Sequence, residues 1–310
     1  GQDVTARHDY VAKCHGERVA RPVACRKTYN GWSEPEMTNS AAIPRPRVLI
    51  DPRKALSFSG AVWFTAAAIG QLAFVLYIAA FYYVSTFQGD FARMDSRVIH
   101  GFISGDVLGN ALFLSHVLLA FWITASGPLQ FIPQVRNRFR AFHRWNGRFY
   151  LTVALLTSSG ALALTYLRPH FGSLALLFVN TADGVLIIAF GCLALRAALQ
   201  RRFDDHRRWA LRMFIVVSGV WFFRLGYGFY FFITAGKMPG SHNLTGPADI
   251  AVASTWVVAL LGLEFYFFAQ RRRSGTLKLT AAAMAIAAAG AVLVSSYFAA
   301  QMFWLPTLTA

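Results

Sequence analysis

From Leu56 onward, long apolar runs alternate with short, arginine-rich connections. Seven of the runs reach the roughly 20 residues a helix needs to cross the hydrocarbon layer of a membrane. They fall near 59–84, 109–132, 149–167, 173–195, 211–234, 250–269 and 279–300. No stretch alternates polar and apolar side chains as a barrel strand would, so helices are how this backbone satisfies its polar groups in lipid. The pattern predicts an all-α polytopic membrane protein, a bundle of seven transmembrane helices over 57–310, behind a polar, basic tail over 1–56. The first run carries no charge from Leu56 to Gly89, too long for a signal-peptide core, and reads as an uncleaved anchor. The tail shows no sustained period and carries Pro44, Pro46 and Pro52, the marks of a disordered cytoplasmic segment. The first methionine is Met37, and the expectation is that the native chain starts there, residues 1–36 being a tag, a fragment or an over-extended reading frame.

Composition strengthens this picture. Apolar residues make up 56% of the chain and charged ones 14%, against about 25% charged in soluble domains. A water-soluble fold of this size has too little interior for 28 Phe, 8 Trp and 11 Tyr. The net charge of +16 does not point to nucleic acid, because the basic residues fall in blocks between apolar runs rather than on one soluble face. Counted by segment, Lys and Arg number ten in the tail, then two, five, one, six, one and four in successive connections. High and low counts alternate at every crossing, which predicts the N-terminus inside, with anionic lipid headgroups against the inner loops. Cys14, Cys25 and Cys192 form no C-x-x-C motif and imply no disulfide framework.

Charge inside a span carries more information, since each such group costs at least about 2.5–3.5 kcal/mol at the membrane centre unless paired or hydrated. Asp183 and Arg224 lie at similar depth in the fourth and fifth runs, which predicts a buried ion pair, with Asn180, Thr181, Tyr227 and Tyr230 available for the remaining donors and acceptors. Glu264, near the inner end of the sixth run, is within reach of inner-loop arginines or water. His116 sits within a span, while His143 and His206 sit at the inner boundary and His100, His170 and His242 in outer connections. Imidazoles facing each other from neighbouring helices can hold a b-type haem by axial ligation, which makes His116, His143 and His206 candidate cofactor ligands. Two His-Arg clusters, 142–150 and 204–209, stand 63 residues apart at the entries to the third and fifth runs. Arg144, Asn146, Gly147, Arg148, Tyr150 and Arg207 in these clusters read as an interfacial group suited to lipid phosphate and the aromatic belt.

Those residues also carry a resemblance. Ser115-His116, Gly127-Pro128-Leu129-Gln130 and His143-Arg144-x-x-Gly147-Arg148-x-Tyr150, followed by His206-Arg207 and Arg224, resemble a bacterial family of predicted multi-pass membrane proteins, the domain of unknown function two-three-zero-six. The likeness covers roughly 60–270 and implies a fold and an address in a bacterial cytoplasmic membrane, without an activity. P-loop, dinucleotide, His-Glu-x-x-His and Gly-x-Ser-x-Gly signatures are absent. Two functions from different classes follow: a membrane redox component holding haem or handling quinone, and a proton, ion or small-molecule carrier built on Asp183 and Arg224. A third is a non-catalytic membrane assembly partner.

Overall fold

The computed structural model describes residues 51–95, 102–167, 173–237 and 244–306. Residues 1–50 of the tail, with the expected start at Met37, Cys14 and Cys25, and also His100, His170 and His242, lie outside the described residues, while the tail's last five, Pro52 to Leu56, belong to the first helix. Contacts divide the chain between Arg47 and Val48, and the second unit holds every helix below.

Among the described residues every regular element is a helix. Helix α1 (Pro52–Ile78) opens on Asp51, whose carboxylate accepts the Arg53 N–H at 2.8 Å, with Pro52 in the first turn where its missing N–H costs nothing. It runs on through a π segment, Ala79–Tyr83, into α2 (Val84–Gln88). The short α3 (Phe91–Asp95) precedes α4 (Val107–Ser126). There Gly127-Pro128 ends the helix and leads through α5 (Pro133–Arg138) into α6 (Arg140–Leu167). Then follow α7 (Leu174–Leu199), α8 (Phe203–Val217), α9 (Gly219–Ile233), α10 (Pro247–Ala253), α11 (Thr255–Arg271) and α12 (Gly275–Ala299). Five of these spans are long and apolar enough to cross a membrane, and seven are if α8 with α9 and α10 with α11 each count as one. Each expected run coincides with one of them to within two residues beyond its ends, so the helical membrane fold read from hydropathy holds. Outward-facing Phe178 and Val258, each 71% exposed, show the apolar exterior that hydrocarbon requires.

The two bends were not legible in the runs. Helices α8 and α9 meet at 56° across Ser218, and α10 and α11 at 46° across Ser254. In both, the serine hydroxyl donates to the carbonyl four residues back, Ser218 to Phe214 and Ser254 to Ile250, each at 2.8 Å. Such back-bonding competes with the helix ladder and bends it. Next to the second bend, Thr255 Oγ1 donates across to the Phe222 carbonyl of α9 at 2.8 Å. Three glycines let α9 thread between its neighbours, Gly219 against α7, Gly226 against Val252 and Thr255, and Gly228 against the α12 backbone. A Cβ at Gly228 would stand 2.3 Å from the Ser295 carbonyl oxygen, so only glycine permits this crossing.

Candidate functional site

The structure rewires the expected intramembrane charges. Asp183 on α7 and Arg224 on α9 do not pair: neither has an ion pair or hydrogen bond among the described residues. The carboxylate lies instead on the first residue of α9, with Oδ2 2.5 Å from where a Gly219 Cβ would be. Five residues separate Gly219 from Arg224, which turns the arginine about 140° around the helix from the face that meets Asp183. Its guanidinium stands just beyond the end of α12, 5.8 Å from the Phe303 ring. The same five positions along α9 set Arg224 about 7.5 Å in rise beyond Gly219, so the two charges do not share a level.

Arg224 has Tyr227 close enough to feel its charge, and the Tyr227 hydroxyl donates to Asp249 Oδ1 at 3.1 Å. Asp249, 2% exposed, also accepts the Gly246 N–H at 3.2 Å. This acid was missed, although Gly246-Pro247-Ala248-Asp249 is a legible helix start with an acid in its first turn. Thr181, expected beside the pair, bonds Tyr166 at 2.8 Å. Glu264 belongs elsewhere again. Arg212 of α8 grips it with both arms, Nε to Oε1 at 2.6 Å and the second nitrogen to Oε2 at 2.8 Å, while the guanidinium lies 4.5 Å from the Trp209 ring. An arginine does reach Glu264, one of the two outcomes its position allowed, though from within a helix rather than from a loop.

Among the described residues Asp183 is left as the uncompensated acid of the spans. Around it the bend concentrates polar groups at one level. Gln71, 2% exposed on α1, donates to Ser218 Oγ at 2.8 Å and keeps Oε1 without a hydrogen bond. Gly70 brings Trp221 and Ser296 together, and neither Trp221 Nε1 nor Ser296 Oγ has a hydrogen-bond partner. Such unpaired buried groups are rare enough in native proteins that each asks for a reason. The site is therefore the α8–α9 bend, where the Asp183 carboxyl lies against Gly219 and Gln71 holds Ser218. Gln71 is the lone amide of the 59–84 run and Ser218-Gly219 interrupts the 211–234 run, signals present in the sequence that the search for charge passed over.

The candidate ligand histidines divide. His143 and His206, at one end of the bundle, are close enough for one charge to be felt at the other, with Arg136 nearby. His116 faces α6 at the level of Thr157, Nδ1 lying 3.3 Å from the Thr157 carbonyl. Fourteen residues of α6 separate His143 from Thr157, about 21 Å of rise. Tautomers follow from the partners. His206 Nδ1 donates to the Ala194 carbonyl at 2.9 Å and His116 Nδ1 to Thr157, which frees Nε2 on both. Gln130 requires its oxygen for the Gly147 N–H (3.0 Å) and the Asn146 amide, so its nitrogen donates to His143 Nδ1 at 3.0 Å. That puts the His143 proton on Nε2, the atom an iron would need. The two histidines with a free Nε2 stand on different levels, so this arrangement opposes axial ligation by His143 and His206. Among the described residues no group of three or more His, Cys, Asp or Glu side chains is arranged to hold a metal ion.

The His-Arg-x-x-Gly-Arg-x-Tyr segment is a latch. Asn146 donates to the Ser126 carbonyl at 3.1 Å, Gly147 admits Gln130, and the Tyr150 ring lies 3.1 Å from where a Gly127 Cβ would be. The two stretches that carried the resemblance are thus packed on each other. Arg144, Arg148 and Arg207 are exposed at the same end, with Arg148 over the Trp145 ring at 5.1 Å.

Compared with known families, residues 113–267 match the one described as predicted membrane protein (DUF2306). No curated protein and no solved structure matches.

Proposed function

Given that the chain belongs to the DUF2306 family of predicted membrane proteins, we propose that it is a membrane carrier that moves a small cation, the proton included, through Asp183 at the α8–α9 bend. One observation carries this reading. Arg212 neutralises Glu264, and Tyr227 and Gly246 hold Asp249, while the Asp183 carboxyl has no partner among the described residues. A fixed anion left in the interior of a bundle is costly, and a mobile cation that arrives and leaves repays it. Broken helices are the usual frame for such a site, because the bend turns backbone dipoles and freed carbonyls toward the passing ion. The arginine-rich end of the bundle is the cytoplasmic one on this reading, in a bacterial inner membrane with anionic headgroups around Arg144, Arg148 and Arg207.

Reconstituted in liposomes, the protein should dissipate an imposed pH or sodium gradient. Asp183→Asn should remove that flux at least tenfold while leaving the detergent-purified protein monodisperse and helical. Equal flux through the wild type and Asp183→Asn would defeat the reading.

A further inference from the structure

We propose that Arg224 holds the substrate of the carrier, a small organic anion gripped by its carboxylate or phosphate group, and that the cation bound at Asp183 travels with it. The anion site stands on its own observations, and the coupling rests on the reading of Asp183 above.

An aspartate shut in a span can shed its charge by taking up a proton, whereas a guanidinium stays protonated in any protein environment. Within a span it therefore needs an oxygen partner. Arg224 has none among the described residues: its Nε is buried without a hydrogen bond, and no acid pairs with it. Asp249, the acid of the neighbouring α10, is engaged by the Tyr227 hydroxyl and the Gly246 N–H. What Arg224 has beside it is aromatic. Its guanidinium stands 5.8 Å from the Phe303 ring, and three positions on, Tyr227 meets Phe303 at 5.9 Å and Phe223 at 5.0 Å, both edge to face. A ring attracts the charge without taking up the N–H donors along the edge of the fork. That edge is left for an oxyanion, whose paired oxygens accept two parallel N–H bonds. The rings suit the apolar body of an organic acid better than a bare inorganic ion. Arg224 also keeps part of its surface exposed, which gives an arriving ligand a way in.

Asp183 meets α9 at Gly219, and Arg224 lies five positions on, about 7.5 Å of rise. At that range inside a bundle the guanidinium repels a cation approaching the carboxyl. A bound anion cancels the repulsion, so the cation binds more tightly once the anion is in place. By linkage, the cation strengthens the anion by the same factor. With both loaded, each interior charge has its counter-charge, and the cost of holding charge in the membrane is least.

The test uses the full-length chain. In detergent, phenyl phosphate or lactate should raise the thermal midpoint above that in sodium chloride of equal ionic strength. Arg224→Gln should abolish the rise, and Arg224→Lys, which keeps the charge but not the fork, should weaken the apparent affinity about tenfold. No response to either anion, or the same response in Arg224→Gln, overturns the site. Should Arg224→Gln not fold, Arg224→Lys decides. A rise with phosphatidylglycerol in the micelles and with neither soluble anion puts a lipid headgroup on Arg224 and overturns the substrate assignment. In liposomes, the anion that raises the midpoint should speed dissipation of the cation gradient about fivefold or more. No acceleration, with the midpoint response intact, removes the coupling and leaves the site. If Asp183→Asn passes the cation as fast as the wild type while the midpoint response persists, the Asp183 reading fails and the Arg224 site stands.

Discussion

At the scale of single residues, the protein shows why charge inside a membrane has to be read with its partners. Arg212 is 14% exposed and Glu264 42%, a pair half in and half out of the bundle, braced by the Trp209 and Phe267 rings. Its worth lies between the near-zero value of a surface pair and the several kcal/mol lost when a buried one is broken. Glu264→Gln should lower stability by about 1–2 kcal/mol, read as a fall in the thermal midpoint in detergent, with flux through Asp183 unchanged. Asp183→Asn should do the opposite. An uncompensated carboxyl gives nothing to the fold, so its replacement should hold or raise the midpoint while flux is lost. A double dissociation of this kind separates a staple from a working group, and parallel losses in both variants would merge them.

At the scale of elements, the decisive features are the bends and the glycines of α9. The Cβ that Gly228 lacks would strike the α12 backbone at Ser295 and Ala299, and backbone cannot step aside. Gly228→Ala should force the two helices apart at a cost of about 1–3 kcal/mol, visible as a lowered thermal midpoint. At Gly219 the obstacle is the far end of the Asp183 side chain, which can swing away. Gly219→Ala should therefore leave the midpoint close to the wild type and displace the carboxyl from the helix end, so that flux falls. Equal thermal losses in the two variants would contradict the distinction between a backbone and a side-chain obstacle. Neither bend was readable beforehand. A serine inside an apolar run is compatible with a straight helix, and whether its hydroxyl turns back onto the ladder depends on what lies opposite. For Ser218 that is Gln71, 147 positions away in the chain.

At the scale of the whole molecule, the contacts gather the arginine-rich connections at one end. Pro52 lies by Gly275, the Tyr266 hydroxyl donates to the Leu56 carbonyl, Arg212 holds Glu264, and His206 meets Ala194. The alternation of Lys and Arg along the chain predicts the same gathering and adds that this end faces the cytoplasm. With Cys14, Cys25 and Cys192 replaced, single cysteines at Arg201 and Arg273 should react with a membrane-impermeant maleimide only after cells are opened, and one at Lys237 should react in intact cells. Labelling of all three from one side would refute the crossing count.

What the amino-acid order alone determined is whatever depends on local composition: the helical class, the membrane address, the position of each span and the separation of basic from neutral connections. The cost of leaving polar backbone or charge in hydrocarbon is paid residue by residue, so a window of about 20 residues already contains the answer. The latch was half legible, since Gly127 to Gln130 and His143 to Tyr150 stood out as motifs, though not that they touch. Partnership between charges was beyond reach. Asp183 with Arg224 was chosen on depth, and the structure grouped Glu264 with Arg212, placed Arg224 beside Tyr227, itself bonded to Asp249, and set Asp183 against Gly219. A bend of 56° at one serine rotates everything after it, and only the packed bundle, in which Gln71, Asp183 and the glycines of α9 meet, decides that such a bend exists and where its far side points.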